Sequence, residues 1–332
     1  MEYATLGANG PEVSRVIYGA WAIGGWMWGG TDDEDAIESI RAAVDAGMST
    51  IDTAPMYGFG HSEKVVGRAI ADLAREDVVI CTKCGLRWDL EEGQEFFDTT
   101  DRHGNEYTVY RNLKKHSILE EIDRSLERLG VDYVDLYQCH WPDNTTEIAE
   151  TMEALNQILE EGKARAVGVS NFTPEMIEEC LAHGTIVSNQ PEYCMLCRDI
   201  EEGVLPCCRK NDVGVIVYSP LHQGLLTGKV TMDREFEEGD QRNWKPWFQP
   251  INRRRALDFL DKVRPIAEKH DKTLAQVAIN WVLRQDGITS AIVGARNPQQ
   301  VQENAGGAGW RLTEQELAQI REWLEDLGGP VR

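Results

Sequence analysis

Polar side chains stand at the carboxyl ends of six short apolar runs in this 332-residue sequence. In parallel β/α folds these ends meet on one face, where the active sites of barrel enzymes are built. A carboxylate, an ammonium and an imidazole that converge there are groups used in proton transfer. Each residue alone has a structural explanation, but six such strand ends together favour a functional site. The residues are Asp52, Lys83, His140, Ser170 with Asn171, Gln190, and Tyr218 with Ser219.

The runs that carry these residues belong to a regular alternation of strand and helix patterns, which is typical of parallel strands joined by helices. We therefore predict an α/β fold, a (β/α)8 TIM barrel with a short N-terminal β-hairpin around residues 7–10. The eight candidate strands cover residues 15–19, 49–52, 78–83, 134–140, 165–170, 186–190, 214–219 and 289–294.

A doubly wound sheet is the competing architecture. It would normally bind a dinucleotide through G-x-G-x-x-G after its first strand, and this spacing occurs nowhere in the chain. Without that motif, the Tyr110-x-x-x-Lys114 spacing, which short-chain dehydrogenases also use, is attributed to chance. No linker, repeat or low-complexity tract divides the chain, so we expect residues 1–332 to form a single domain.

Helix starts and long connections are also readable. Thr31 and Ser117 are each followed three residues later by glutamate, as in a capping box, and Thr173-Pro174 resembles an N-cap and first helical residue. Residues 85–113 and 228–250 exceed the usual length of a connection. They would form lids over a site or pack irregularly against the barrel rim, and the sequence supports both equally. Their aromatic residues are Trp88, Phe96, Phe97, Tyr107, Tyr110, Trp244, Trp247 and Phe248.

The charge balance limits the partners. There are 34 Lys and Arg against 56 Asp and Glu, a formal net charge of −22. This charge repels a nucleic-acid backbone and anionic lipid surfaces, so nucleic-acid and membrane binding are disfavoured. The N-terminus lacks a signal-peptide pattern and no apolar run is long enough to span a membrane, so we expect a cytoplasmic protein.

The cysteines raise the question of a metal or redox site, because Cys81/Cys84 and Cys194/Cys197 have C-x-x-C spacing. The two pairs lie more than a hundred residues apart without histidines at zinc-finger spacing. The seven histidines form no H-x-H or H-E-x-x-H motif. We therefore expect reduced thiols and no metal site.

Five segments in order along the chain resemble the aldo-keto reductases: residues 51–63 (IDTAPMYGFGHSE), 82–83 (TK), 132–142 (DYVDLYQCHWP), 168–172 (GVSNF) and 218–221 (YSPL). Three more, residues 21–25 (WAIGG), 224–229 (GLLTGK) and 294–296 (GAR), resemble most the bacterial NADPH-dependent members of the YhdN type. The similarity covers essentially the whole chain.

The resemblance implies a catalytic tetrad of Asp52, Tyr57, Lys83 and His140 that reduces a carbonyl group. Tyr57 would donate the proton as general acid. A phenol with a pKa of about 10 is a weak acid at neutral pH, and the Lys83 ammonium would lower that pKa. Asp52 would pair with Lys83, and His140 would orient the substrate oxygen.

The resemblance also implies a nicotinamide cofactor, because no side chain can donate a hydride. Ser170, Asn171 and Gln190 would hold its carboxamide, and Tyr218 would stack on its ring. Arg296 would bind a 2′-phosphate, which favours NADP(H); Asn297 stands where many relatives have a second basic residue, so NAD(H) stays open. The other predicted cofactor contacts are Trp21, Asp52, Ser219, Leu221, Gly224, Gly228, Lys229, Gly294, Gln300 and Asn304.

The predicted partner is a small-molecule aldehyde or ketone, and the family implies a monomer. Substrate contacts are assigned to Trp21, Tyr57, Trp88, His140 and Trp141, although tryptophans at a barrel mouth can also simply pack the rim. Two alternative functions stay open. One is a nucleotide-binding regulatory protein with little turnover, because potassium-channel β subunits resemble this family. The other is a metal-dependent hydrolase or an isomerase on the barrel.

Overall fold

The structure is a computed structural model that describes residues 1–28, 32–237 and 239–331. In this part of the chain, eight parallel strands close a barrel in sequence order, which confirms the predicted fold. The barrel strands are β3 (Val16–Gly19), β4 (Thr50–Asp52), β5 (Val79–Cys84), β9 (Leu136–Cys139), β10 (Val167–Ser170), β11 (Ser188–Gln190), β12 (Gly214–Val217) and β13 (Ile288–Gly294). Their side chains are almost all buried, because helices cover the outside of the barrel and apolar side chains fill its inside.

The predicted N-terminal hairpin is present. Strands β1 (Tyr3–Thr5) and β2 (Glu12–Ser14) pair antiparallel. Leu6 and Val13, both fully buried, pack into the apolar cluster inside the barrel with Ile17 of β3. The hairpin therefore contributes to the core of the barrel.

Ten helices lie in the described ranges: α1 (Asp33–Asp45), α2 (His61–Ile70), α3 (Lys115–Leu129), α4 (Ile148–Glu160), α5 (Pro174–His183), α6 (Val204–Lys210), α7 (Pro250–Lys269), α8 (Leu274–Leu283), α9 (Pro298–Ala305) and α10 (Glu314–Leu327). Thr173 caps α5 as predicted. The predicted cap at Thr31 falls outside the described residues, and the Asp32 side chain accepts the first amides of α1. The predicted helix cap at Ser117 is wrong. Helix α3 begins at Lys115, and the Ser117 hydroxyl is engaged by the Arg87 guanidinium at 2.8 Å.

Residues 85–113 form a sheet, where the sequence suggested only a long connection. Strands β6 (Leu86–Arg87), β7 (Gln94–Thr100) and β8 (Glu106–Arg111) pair antiparallel in the order β6-β8-β7. Phe97 on β7 stacks on Trp26 from the loop after β3, with ring centroids 6.0 Å apart. The insertion is thus fixed to the same end of the barrel as the carboxyl ends of the strands.

All eight cysteines are free thiols. Cys81 lies in the cluster inside the barrel and Cys84 in the layer between strands and helices, so the two members of this C-x-x-C pair belong to separate apolar clusters. Among the described residues no group of three or more His, Cys, Asp or Glu side chains is arranged to hold a metal ion. None of the described helices has the length and apolar character needed to cross a membrane.

Candidate active site

The four predicted tetrad residues meet at the carboxyl end of the barrel. Asp52 ends β4, Lys83 lies in β5, and His140 follows β9. Lys83 is fully buried, and its Nζ donates to Asp52 Oδ1 at 2.7 Å, to the carbonyl oxygen of Thr53 at 2.9 Å and to the Tyr57 hydroxyl at 3.2 Å. The ammonium therefore has three acceptors, one of which is the phenol oxygen.

A close backbone contact positions Tyr57. A Cβ on Gly24 would lie 2.6 Å from the Tyr57 carbonyl carbon, and a Cβ on Gly58 would lie 2.1 Å from the Gly24 carbonyl oxygen. Gly58 also has φ +70°, which glycine adopts at little cost. The Trp21 ring stacks on the Tyr57 ring with centroids 5.9 Å apart, and the His140 ring meets the Tyr57 ring edge-on with centroids 5.6 Å apart. The loop after β3 thus fixes the direction of the phenol.

Burial and charge give the ionisable groups of the site different protonation states. Burial raises the pKa of Tyr57 and Lys83 counteracts this increase. Burial alone would lower the pKa of Lys83, but the Asp52 carboxylate and Tyr57 raise it above its ordinary value. Burial, with a smaller contribution from Lys83, holds the pKa of His140 well below its usual range. At neutral pH the site therefore contains a neutral phenol, a charged amine and a neutral imidazole.

The polar residues that end β10, β11 and β12 form one hydrogen-bond network. The Tyr218 hydroxyl donates to Asn171 Oδ1 at 3.0 Å, and Asn171 Nδ2 donates to the His140 carbonyl oxygen at 3.1 Å and to Ser170 Oγ at 3.0 Å. Ser170 Oγ donates to the Gln190 carbonyl oxygen at 2.7 Å. These side chains are therefore held in fixed positions on one wall of the site.

The network continues into the tetrad through Gln190. Its Nε2 donates to Asp52 Oδ2 at 2.9 Å, while Asp52 Oδ1 accepts from Lys83. Asp52 is 2% exposed, so both of its oxygens are satisfied by protein donors inside the barrel mouth. This contact between a predicted cofactor residue and the tetrad was not foreseen from the sequence.

One cavity of about 890 Å³ joins these groups to the loop after β13. It is lined at one end by Tyr57 and His140 and further along by Ser170, Asn171, Gln190 and Tyr218. Some buried polar atoms of its wall have no hydrogen-bond partner among the described residues, for example Gln223 Oε1 and Gln241 Nε2. Amide and hydroxyl groups at one end and cations at the other fit a nicotinamide dinucleotide. The other predicted cofactor residues on the wall are Trp21, Asp52, Ser219, Leu221, Gly224, Lys229, Gly294, Arg296, Gln300 and Asn304.

The model of the Aldo/keto reductase family matches residues 15–325. The chain belongs to this family. It is 39% identical over 334 residues to aldo-keto reductase YhdN of Bacillus subtilis (strain 168), with 100% of this chain and 96% of the relative covered. It is 40% identical over 332 residues to a protein of Escherichia coli (strain K12) named NADH-specific methylglyoxal reductase, covering 98% of this chain and 99% of the relative.

A solved structure extends the similarity to the fold. The glycerol dehydrogenase of Gluconobacter oxydans superposes with a TM-score of 0.88 at 39% sequence identity, with 99% of this chain and 97% of that chain covered. The resemblance to YhdN-type aldo-keto reductases is therefore confirmed over the full length.

Two predicted contacts of this aldo-keto reductase do not reach the cavity. Trp88 is absent from the cavity wall and meets Phe59 edge-on at 5.4 Å, so it packs behind the site. Gly228 is also absent from the wall; it ends a helical turn at φ +73°, and a Cβ at this position would lie 2.6 Å from Leu274 Cδ1. Trp21 and Trp141 do line the cavity.

Several wall residues escaped the sequence prediction. On the apolar side they are Trp26, Met56, Leu86, Phe96 and Phe97, and on the polar side Gln223, Arg234, Gln241, Arg242 and Lys245. The aromatic content of residues 85–113 was the one signal for the apolar group. For the basic group the signal was weak, because the four cations of segment 228–250 stand among five acidic residues.

Proposed function

We propose that the protein is an NADPH-dependent reductase of aldehydes and ketones in which Tyr57 acts as general acid. The observation that carries the proposal is the Tyr57 hydroxyl, which lies 3.2 Å from the buried Lys83 ammonium. Tyr57 and His140 line the same cavity as the residues that would hold a nicotinamide ring. A carbonyl group and the ring would thus meet in one enclosed space.

Tyr57 supplies the proton in this proposal. Because burial raises its pKa, the hydroxyl stays protonated at neutral pH. When the proton moves to the carbonyl oxygen, phenolate charge develops 3.2 Å from Lys83 Nζ. Asp52 fixes that ammonium beforehand, so the site stabilises the developing charge without reorganising.

His140 orients the substrate. Its depressed pKa keeps the ring neutral, so one ring nitrogen can donate a hydrogen bond to the carbonyl oxygen. Its edge-on contact with Tyr57 places the two donors beside each other. A carbonyl oxygen that accepts from both is aligned for protonation by Tyr57.

A bound nicotinamide cofactor would supply the hydride that no side chain can donate. Ser170, Asn171 and Gln190 would hold its carboxamide, and Tyr218 would support one face of the ring. Arg296 lines the cavity and would bind a 2′-phosphate, which favours NADP(H). The E. coli relative is named NADH-specific, so the preference of this chain has to be measured directly.

The substrate side of the cavity is aromatic. Trp21, Trp26, Phe97 and Trp141 line it beside Tyr57, and an apolar wall of this kind accepts the carbon skeleton of an aldehyde or ketone while the tetrad binds its oxygen. Relatives are named for methylglyoxal and glycerol, so short polar carbonyls belong in any test set.

The decisive experiment is a panel of carbonyl compounds followed by nicotinamide absorbance, with NADPH and NADH in parallel. The panel contains methylglyoxal, glyceraldehyde, an aromatic aldehyde, a ketone and an aldose. We expect oxidation of NADPH with at least one aldehyde, at a higher kcat/KM than with NADH. Tight nucleotide binding without turnover on any compound would overturn the proposal and favour a nucleotide-binding regulatory protein.

A further inference from the structure

Positive charge is concentrated on one part of the cavity wall, in a chain whose net charge is −22. This part is formed by segment 228–250 and the loop after β13. Five cations line the cavity against three acids, Asp52, Glu192 and Glu303. In an acidic chain such a cluster indicates an anionic ligand. The cations are Lys229, Arg234, Arg242, Lys245 and Arg296.

Two of these cations are held against one residue, Trp28. Arg296 Nη2 donates to the Trp28 carbonyl oxygen at 2.6 Å, and the Arg242 guanidinium lies 5.2 Å from the centroid of the Trp28 ring. The two guanidinium groups are close enough to interact. Burial makes the largest contribution to lowering the pKa of Arg296, and the positive charge of Arg242 lowers it further. The fold therefore brings two like charges together at a partly buried position.

Among the described residues, only one of these two arginines forms an ion pair with a carboxylate. Arg242 forms an ion pair with Asp240, whose Oδ1 accepts from Arg242 Nε at 2.9 Å. Arg296 forms no ion pair with any carboxylate of the described residues. The Asp240 and Glu237 carboxylates also act on Arg296 and raise its pKa, but neither forms an ion pair with it. Donors on both arginines therefore stay free for a phosphate.

A second observation points to a ligand at the same place. Gln241, next to Arg242, is 7% exposed and lines the cavity, and its Nε2 has no partner in the described structure. The indole Nε1 of Trp28 is also buried and has no partner among the residues that the structure describes. Buried donors of this kind are costly unless a bound group accepts from them.

We infer that Arg242 binds the 2′-phosphate of NADP(H) together with Arg296, and so contributes to the selectivity for NADP(H) over NAD(H). This inference depends on the nicotinamide-dependent function proposed above. The residue after Arg296 cannot supply this second phosphate contact. It is Asn297, whose side chain caps α9 by accepting from the Gln300 amide at 2.9 Å. Lys229 is neutralised by Glu303, and Arg234 is exposed to solvent.

The rival explanation is that Arg242 only shapes its segment. Its guanidinium also lies 4.2 Å from the Phe236 ring centroid, and the Asp240 pair holds it from within the segment. A residue that only shaped the segment would affect all nucleotides alike. A residue that contacts the 2′-phosphate affects only nucleotides that carry one.

The test uses adenosine 2′,5′-bisphosphate and 5′-AMP, which differ only in the 2′-phosphate, in calorimetric titrations of the full-length protein without any carbonyl substrate. Arg242→Gln should weaken binding of the bisphosphate by about 10- to 30-fold, the loss expected for a charge-assisted hydrogen bond, and leave 5′-AMP within about threefold. Arg296→Gln serves as the reference with the same selective loss. Arg242→Lys should give a smaller loss, because the charge stays but the fork geometry is lost.

The matched control is Arg253→Gln. Arg253 donates to the carbonyl oxygens of Met232 and Arg234, so it shapes the same segment, but it is not on the cavity wall. It should change the affinities for both nucleotides equally. Equal effects of Arg242→Gln on both nucleotides, or no effect on either, would overturn the inference. Because the titration needs no turnover, the outcome is independent of whether the protein reduces carbonyls.

Discussion

Tyr57→Phe removes one oxygen atom from the proposed proton donor and leaves its surroundings nearly unchanged. Lys83 keeps two of its three acceptors, Asp52 Oδ1 at 2.7 Å and the Thr53 carbonyl oxygen at 2.9 Å. The ring contacts with Trp21 and His140 do not involve the hydroxyl. We therefore expect the free energy of unfolding to change by about 1 kcal/mol or less, the usual net value of one hydrogen bond.

The effect on catalysis should be much larger. A positioned general acid accelerates a reaction by roughly 10²- to 10⁴-fold. This corresponds to about 3–5 kcal/mol of the activation barrier. The residues that would hold the cofactor bond to one another and to Asp52 but not to the Tyr57 hydroxyl. Nucleotide affinity should therefore stay within about threefold while kcat falls.

The assay measures kcat and KM on the best aldehyde of the panel, the dissociation constant for NADPH by fluorescence, and thermal unfolding. Tyr110→Phe is the matched control, because it removes the same atom from β8, where Tyr110 is absent from the cavity wall and Lys114 pairs with Glu92. A folded Tyr57→Phe variant that kept turnover within tenfold of the unaltered protein would refute Tyr57 as the proton donor. A loss of similar size in Tyr110→Phe would show that the effect does not depend on where the hydroxyl lies, and would also refute the reasoning.

Three further substitutions test the surroundings. Lys83→Met should destabilise the fold by about 3–5 kcal/mol in urea unfolding, because it leaves the Asp52 carboxylate buried without its cation; unchanged stability would contradict the buried pair. Burial raises the pKa of Glu121 to about 8 from an ordinary value of 4.5, so the native state binds an additional proton between these values and stability should fall as the pH rises through that window. Glu121→Gln should make the free energy of unfolding less dependent on pH in this window, as measured by unfolding at several pH values. An unchanged pH dependence would assign it to another group. Phe97→Ala should raise KM for an aromatic aldehyde by about 3- to 10-fold, through lost apolar contact, and leave KM for methylglyoxal unchanged; equal changes for both substrates would place Phe97 outside the substrate pocket.

The barrel and the positions of Asp52, Lys83 and His140 could be predicted because strand patterns are local. A short apolar run bounded by helix signals fixes where a strand ends, and parallel topology then brings those ends together. Tyr57 is different. It follows β4 in a loop whose course depends on the contact between Gly24 and Gly58 from two different connections. No local pattern encodes that contact, so the direction of the Tyr57 side chain could be predicted only from the family motif.

The inserted sheet and the cation cluster were missed for a related reason. Segment 228–250 has no helix or strand periodicity, and tertiary bonds such as those from Arg253 to the carbonyl oxygens of Met232 and Arg234 set its course. The position of Arg242 beside Trp28 follows from that course. The false cap at Ser117 has a similar origin, because a motif of two residues cannot show that Arg87 from a distant strand engages the hydroxyl.

In the proposed function, the hydrogen bond from Gln190 to Asp52 would link cofactor binding and proton donation through one carboxylate. Asp52 divides its negative charge between Gln190 at Oδ2 and Lys83 at Oδ1. If Gln190 turned its amide toward a bound carboxamide, Oδ2 would lose a donor, and Asp52 would then hold Lys83 more strongly. A Lys83 held more strongly by Asp52 stabilises the Tyr57 phenolate less. The acidity of Tyr57 would therefore depend on what occupies the cofactor side of the cavity, and we expect a substitution at Gln190 to alter the proton-transfer step as well as nucleotide affinity.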